Sequence, residues 1–374
     1  MKWFIIILIL IIVSAILWQF RYLFVFEDKP EILYQKGDAG SLPQKVNIKT
    51  ITFNMGKNKL TKDEWKKVIE YGDDKEHIKK WNIITDKNYD ILFVALQESW
   101  NESSTYGQMG KAICEVLNEY DCYSYSYDGP PGILRKPFSV QNLVFVRKNL
   151  VTGKPGIIKG RVCHMKKIGL LCTKATVGLA LEFANRRLVF LSSHLPFKSK
   201  SSDYGYDERV KSIKQGLDLL EKIGAKDATV IWAGDMNFRR IPQTEGPVIE
   251  QLNYLKEQGS VPGLSGFTEA KLEFPPTCKL LEQDKIMENL QMLSRKSARD
   301  LRSSSSDNKS TVSILESGSK AYNTEPEPGQ KREPSYCDRI LTQHIDSNKY
   351  YSWTDGRAVD SSDHNVVVLE ATLV

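Results

Sequence analysis

Apolar positions along the chain fall into runs of two kinds. One is a single unbroken stretch, Trp3 to Trp18, interrupted only by Ser14. It has no polar face, so it does not read as a half-buried surface helix. As a helix it nearly crosses a bilayer core, and it spans fully if Arg21 snorkels and Tyr22–Phe26 contribute. Trp3 and Trp18 stand where an aromatic belt would place them. No small-residue cleavage site follows Ala15, so residues 1–26 read as a retained transmembrane signal-anchor rather than a cleaved signal. Lys2 precedes the span while Arg21, Lys29 and Lys36 follow it, which predicts a single-pass protein with the rest of the chain cytosolic.

The second kind is a series of short runs of strand length. Residues 27–45 are polar, with Pro30, Gly37, Gly40 and Pro43, and read as a linker. From Val46 the chain alternates through Asn54, as a half-buried strand does. Ile91–Leu96 is apolar throughout, the pattern of a strand covered on both faces. Leu143–Val146, Gly178–Phe183, Leu188–Leu191, Thr229–Ala233 and Val366–Leu369 look similar. Helical stretches fall between them at Gly110–Glu119 and Asp207–Ile223. Strands interspersed with helices predict an α/β protein with a mixed sheet or two packed sheets over residues 46–374. Residues from about 294 to 330 hold Ser303–Ser306 and Glu325-Pro-Glu-Pro328, and read as a mobile polar insertion.

Composition adds little. The hydrophobic share of 41% supports a core, and the net charge of +6 fits an anionic partner or an ordinary domain. The six cysteines show no CxxC pairing, so neither a zinc site nor a disulfide framework is expected, and a reducing compartment is favoured.

The candidate chemistry sits at strand ends, where α/β folds meet their ligands. Asn54 ends the first strand, Gln97 and Glu98 the second. His194 and the pair Asp235 and Asn237 follow later strands, and Asp363 and His364 precede the last. Mg²⁺ takes hard oxygen ligands and keeps several waters, so Glu98 with Asn54 suffices. Asp235 and Asn237 are two apart, so on an extended segment both point one way. Asp235 can then deprotonate a water that Asn237 holds. His194, His364, Lys279 and Arg339 can meet charge on phosphoryl oxygens. Asp338 can hold the tautomer of His364, and Asp338-Arg339 suits a bend in which one acid orients and one cation grips.

Two runs carry a resemblance: Trp232-Ala-Gly-Asp-Met-Asn-Phe-Arg239 and Pro334-Ser-Tyr-Cys-Asp-Arg-Ile-Leu341. With Thr52–Asn54, Leu96–Glu98, Ser193–Leu195, Phe274–Lys279 and Ser362–His364 in order, the chain resembles the inositol polyphosphate 5-phosphatases of the endonuclease/exonuclease/phosphatase superfamily. The resemblance implies a two-sheet α/β sandwich and Mg²⁺-dependent removal of a 5-phosphate from inositol lipids or soluble inositol phosphates. It implies that Asn54, Glu98 and Asp363 serve the metal, and that Asp235 and Asn237 handle the water. His194 and His364 would contact the scissile phosphate, with Asp338 orienting His364. Lys174, Lys279, Arg332 and Arg339 would hold phosphate groups. Three positions depart from the pattern: Tyr336 stands for Trp, Cys278 for Tyr, and Ala175 for Gly.

The expected partners are phosphoinositide lipids and the membrane, with no nucleic acid. The anchor favours lipid substrates by raising local concentration. Two other readings stay open: a sphingomyelinase-like phosphodiesterase or nuclease of the same superfamily, and a non-catalytic phosphoinositide-binding tether.

Overall fold

The computed structural model describes residues 6–7, 9–14, 30–38, 40–56, 61–63, 65–66, 88–99, 108–127, 139–167, 171–198, 205–238, 262–278, 335–353 and 362–374. In chain order the first elements are β1 (Glu31–Gln35), β2 (Val46–Asn54), β3 (Ile91–Ser99), α1 (Gln108–Val116), β4 (Tyr120–Tyr127) and β5 (Ser139–Arg147). Next come β6 (Gly156–Lys167), β7 (Leu171–Glu182), β8 (Arg187–His194), α2 (Tyr206–Lys222) and β9 (Thr229–Asp235). The chain closes with β10 (Asp338–Gln343), β11 (Asp346–Ser352) and β12 (Val367–Leu373).

The strands form two six-stranded sheets, ordered β1-β6-β7-β8-β9-β10 and β11-β12-β2-β3-β5-β4. This is the expected two-sheet α/β sandwich. Side-chain alternation explains how it packs. In β3, Ile91, Phe93 and Ala95 face the other sheet, while Leu92, Val94 and Leu96 face Met109, Ala112 and Ile113 of α1. The apolar run is continuous because both faces are covered. In the first sheet Val189, Leu191, Val230 and Trp232 meet Leu219 of α2 and Ile223, which caps it. Phe93 and Phe190 touch between the sheets, with ring centroids 5.2 Å apart. Truncating either ring would cost about 3–5 kcal/mol. Asn142 of β5 ties the layers polar-wise, donating to the carbonyls of Val177 and Phe190 at 3.2 and 2.7 Å.

The segment read as a linker contains an edge strand: Glu31–Gln35 pairs antiparallel with β6. The run Asp338-Arg339 is not a bend but the start of β10, paired with β9 from Asp338↔Asp235 onward. Cys163 in β6 is disulfide-bonded, while Cys114, Cys122, Cys278 and Cys337 are free thiols. Residues 6–7 and 9–14 of the expected anchor are helical and exposed. Among the described residues no helix is long and apolar enough to cross a membrane. Most of the anchor and the whole insertion at about 294–330 lie outside the described residues.

Candidate active site

Each sheet contains one parallel pair, β2/β3 in one and β8/β9 in the other. The carboxyl ends of both pairs open on the same edge of the sandwich. Asn54 lies beside Gln97 in the first pair, and His194 beside Asp235 in the second. The antiparallel neighbours bring their amino ends to that edge: β10 begins opposite Asp235, and β12 begins opposite Thr52. These six segments, joined by Lys174 of β7, deliver side chains to one place.

Alternation decides which side chains face inward. Asn54, His194, Asp235 and Asp338 continue the rows of Ile48, Phe190, Ile231 and Ile340, all of which line the intersheet core. Glu98 would fall on the α1-covered face with Leu96. A register shift between Gln97 and Ser99 and a left-handed backbone at Glu98 (φ 48°) turn it back into the cleft. A non-glycine residue held there is strained, as functional positions often are. Gly234 has φ 153°, and a Cβ on it would sit 2.1 Å from the Ser193 carbonyl oxygen, so only glycine lets β9 and β8 close up here. Trp232 Nε1 donates to Ser193 Oγ at 2.6 Å and locks the same strands from behind.

Asp235 is the hub. Asn54 Nδ2 donates to Asp235 Oδ2 at 2.8 Å, and His194 Nε2 lies 3.2 Å from the same oxygen. The Asn237 backbone N–H donates to Asp235 Oδ1 at 3.0 Å. Burial pushes the Asp235 carboxyl up, but the His194 hydrogen bond and the neighbouring His364 and Lys174 cations outweigh it. They hold it well below the usual carboxylate range. Asn237 itself is left-handed (φ 50°), so the extended geometry expected for Asp235-Met-Asn237 is not formed. Its side-chain amide instead donates to the Leu195 carbonyl at 2.9 Å. Asn tolerates this backbone and fixes the turn after β9.

A second histidine closes the cleft. His364 Nδ1 meets Asp338 Oδ2 at 2.9 Å, and its Nε2 lies 3.7 Å from Asp363 Oδ1. Thr277 Oγ1 donates to Asp338 Oδ2 at 2.8 Å. Burial alone would lower the His364 pKa, but the carboxylates of Asp338, Asp363 and Asp235 raise it to about 10. Burial also pushes Asp338 up, against the pull of His364, so the pair holds one proton tightly. His194 goes the other way: burial and the neighbouring Lys174 cation lower it. Lys174 Nζ closes directly on His194 Nε2 and lies 3.9 Å from Glu98 Oε1.

Divalent cations such as Mg²⁺ take oxygen ligands, and Glu98 fits that need. Its carboxylate is 20% exposed, faces the cluster, and has only ion pairs at 3.8 and 3.9 Å among the described residues. Asn54 Oδ1 accepts one hydrogen bond, from the Gly56 N–H at 3.1 Å, and keeps a second lone pair. Asp235, Asp338 and His364 also bring ligand atoms within 4.8 Å of one another. There, however, Asp338 Oδ2 and His364 Nδ1 are committed to each other, so the Glu98 side suits a hard cation better.

The structure therefore gathers Asn54, Glu98, Lys174, His194, Asp235, Asp338, Asp363 and His364. Arg339 does not join them. It has the opposite parity to Asp338, is 1% exposed, and lies over the Phe238 ring. Its Nε donates to Glu269 Oε1 at 2.5 Å and its Nη2 to Glu269 Oε2. This is a structural clamp, not a phosphate grip. Lys279 and Arg332 lie outside the described residues. The supports missing from the sequence reading are Thr277, Ser362 and Glu269. Ser362 Oγ donates to the Asn54 carbonyl at 2.6 Å and accepts from the His364 N–H at 3.1 Å, which joins two strand ends.

No curated protein sequence matches the chain. The model of "Endonuclease/Exonuclease/phosphatase family 2" matches residues 51–292. Among solved structures the chain is similar to the inositol polyphosphate 5-phosphatase domain of SPsynaptojanin, in complex with inositol (1,4)-bisphosphate and a calcium ion. The two share 18% identity over 92% of this chain and 86% of that one, with a TM-score of 0.52. It is also similar to a ferrous NO complex of Cimex nitrophorin, at 14% identity over 89% and 99% of the two chains and a TM-score of 0.48. D. rerio TDP2 with a single-strand DNA product gives 13% identity, 88% and 99% coverage, and a TM-score of 0.47. At these identities the likeness is one of fold. The family model spans more than half of the sequence, and the chain belongs to endonuclease/exonuclease/phosphatase family 2.

Proposed function

We propose that this protein is a membrane-anchored, Mg²⁺-dependent phosphatase that removes the 5-phosphate from phosphoinositides and soluble inositol polyphosphates. The lipids favoured are phosphatidylinositol 4,5-bisphosphate and 3,4,5-trisphosphate. The observation that carries this reading is the convergence of Glu98, His194, Asp235 and His364 on one edge, with opposite charges set against each other. The two signature runs support it, as does a fold shared with a domain that holds inositol (1,4)-bisphosphate and calcium.

Asn54, Glu98 and Asp363 would hold the Mg²⁺, which would supply stabilisation of charge on the phosphoryl oxygens when bound. Asp235 is ionised at neutral pH, so it orients a water and receives its proton. His364 is cationic and donates to the phosphoryl group, and Asp338 keeps it aligned. Lys174 and neutral His194 complete the donor wall. Phosphate release from lipid vesicles by the full chain, dependent on Mg²⁺ and lost in Asp235→Ala, is the expected result. Cleavage of a phosphodiester or nucleic acid, with no release from any inositol phosphate or lipid, would replace this reading with the nuclease or phosphodiesterase one. Protease protection fixes the side of the membrane. The disulfide at Cys163 makes that measurement decisive, since cytosolic disulfides are uncommon. A lumenal domain would leave lipids of the cytosolic leaflet out of reach.

A further inference from the structure

Two buried thiols flank the His364–Asp338 pair and take no part in the chemistry above. Cys337 immediately precedes Asp338, and Cys278 immediately follows Thr277, whose hydroxyl donates to Asp338. Their Sγ atoms lie 2.7 Å apart, and both residues are 0% exposed. The segment Thr277–Cys278 is not part of a strand. It is held by isolated bridges from Cys278 to Ser335 and to His364. The Thr277 and Cys278 N–H groups both donate to the Ser335 carbonyl at 3.1 Å, and the Asn365 N–H donates to the Thr277 carbonyl at 2.7 Å. This small bridge is the floor under the dyad. The two cysteines are 59 positions apart, so the contact closes a long loop, and closing it without a covalent tie is entropically opposed. The chain already carries a disulfide, at Cys163.

We propose that Cys278 and Cys337 form a modification site: a dithiol that is oxidised to a disulfide, fastening the Thr277 bridge to the start of β10. The cross-link holds the Thr277 hydroxyl against Asp338 and thereby positions His364. The oxidant is a small disulfide such as oxidised glutathione. One cysteine thiolate attacks a sulfur of the oxidant, which releases one glutathione thiol and leaves a mixed disulfide. The second cysteine thiolate displaces the other glutathione. Two S–H bonds and the oxidant's S–S bond break, and one protein S–S bond forms. Both protons end on the released thiols, and the protein loses two electrons. Full burial confines the reaction to folding or to openings of the bridge. Cys114 of α1 and Cys122 of β4 provide an internal contrast. Their Sγ atoms are 3.0 Å apart, but they are half-buried and pack in the cluster between α1 and its sheet.

The test equilibrates the full chain in glutathione buffers of graded ratio, followed by acid quench, alkylation and peptide mapping by mass spectrometry. A Cys278–Cys337 linked peptide, lighter by two hydrogens than the dithiol, is expected. Amide hydrogen exchange at Cys278, Ser335 and Asn365 should slow by about tenfold or more in the linked form. Cys278→Ala should abolish both changes, and Cys114→Ala should leave both intact. Two results overturn the proposal: both thiols remaining alkylatable in the most oxidising buffer, or a linked form whose amide exchange matches the dithiol. Neither readout needs phosphate release, so failure of the phosphatase reading would be seen separately.

Discussion

The cleft holds two histidine–aspartate pairs, His194 with Asp235 and His364 with Asp338. Their contacts are alike, at 3.2 and 2.9 Å, and all four residues are buried. Their protons are bound in opposite ways. His194 shares its space with the Lys174 cation and is driven toward the neutral form. His364 faces Asp338, Asp363 and Asp235, and stays cationic to about pH 10. At His364 the partner Asp338 leads the carboxylates that outweigh burial, whereas at His194 burial and Lys174 outweigh the partner Asp235. One residue type therefore supplies a neutral donor–acceptor on one side of the cleft and a fixed cation on the other.

The largest break in this contrast comes at the hub both histidines share. Asp235→Ala should lower the hydrolytic rate by about a thousandfold or more, measured at saturating Mg²⁺. A loss under tenfold would mean the two pairs act without it. Next in size is Asp338→Asn, which should lower kcat by about a hundredfold. It should also move the alkaline limb of the rate profile down from about pH 10 toward the ordinary histidine value of 6.5. The linked stability has a definite sign. The folded His364 pKa is raised, so its contribution is complete below pH 6.5 and is lost as pH rises through about 10. Thermal melts across that window should show the loss in the parent and a smaller one in Asp338→Asn.

Lys174→Met addresses the other pair, with an expected rate loss of about tenfold. The His194 pKa is lowered in the fold, so stability is lost as pH falls through the ordinary value of 6.5. Removing the lysine should raise the His194 titration, read by imidazole NMR, and shrink that acid loss. An unmoved His194 titration would show that burial alone sets its charge. The smallest effect belongs to Thr277→Val, which deletes the two hydrogen bonds between its hydroxyl and Asp338, one donated to Oδ2 and one accepted from the backbone N–H. A rate loss of about fivefold is expected, with the alkaline limb displaced slightly downward. No displacement would make Thr277 a packing residue only.

Strands covered on both faces were the legible part of the fold. β3, β8 and β9 announce themselves as continuous apolar runs, because each has a helix on one side and a sheet on the other. β4 is harder to see, since Tyr120-Asp-Cys-Tyr-Ser-Tyr-Ser-Tyr127 alternates with mixed burial. β1 is an edge strand with an exposed pattern throughout, so it looks like a linker. Within the site, the ionisable groups that the cleft gathers were readable from residue type and strand ends. Their supports were not. Thr277 and Asp338 are 61 positions apart, and Ser362 and Asn54 are 308 apart. A hydroxyl carries no sequence pattern that says which carboxylate it will reach. Arg339 was misread because its meaning depends on parity within β10, and parity requires knowing that β10 is a strand.

The order of the pieces along the chain also sets when the cleft can exist during synthesis. Asn54, Glu98, His194 and Asp235 are made well before β10, β11 and β12, yet β12 must insert between β2 and β11. Until then the ribosome has delivered the carboxylates Glu98 and Asp235 without the His364 imidazolium that faces Asp235. A nascent chain therefore carries a half-site in which Lys174 faces Glu98 and Asp235 without the second cation, His364. Docking of the final strand adds that cation and completes the sheet in one event. Quality control of folding and onset of activity would then be the same step, and partly made or truncated copies would stay silent.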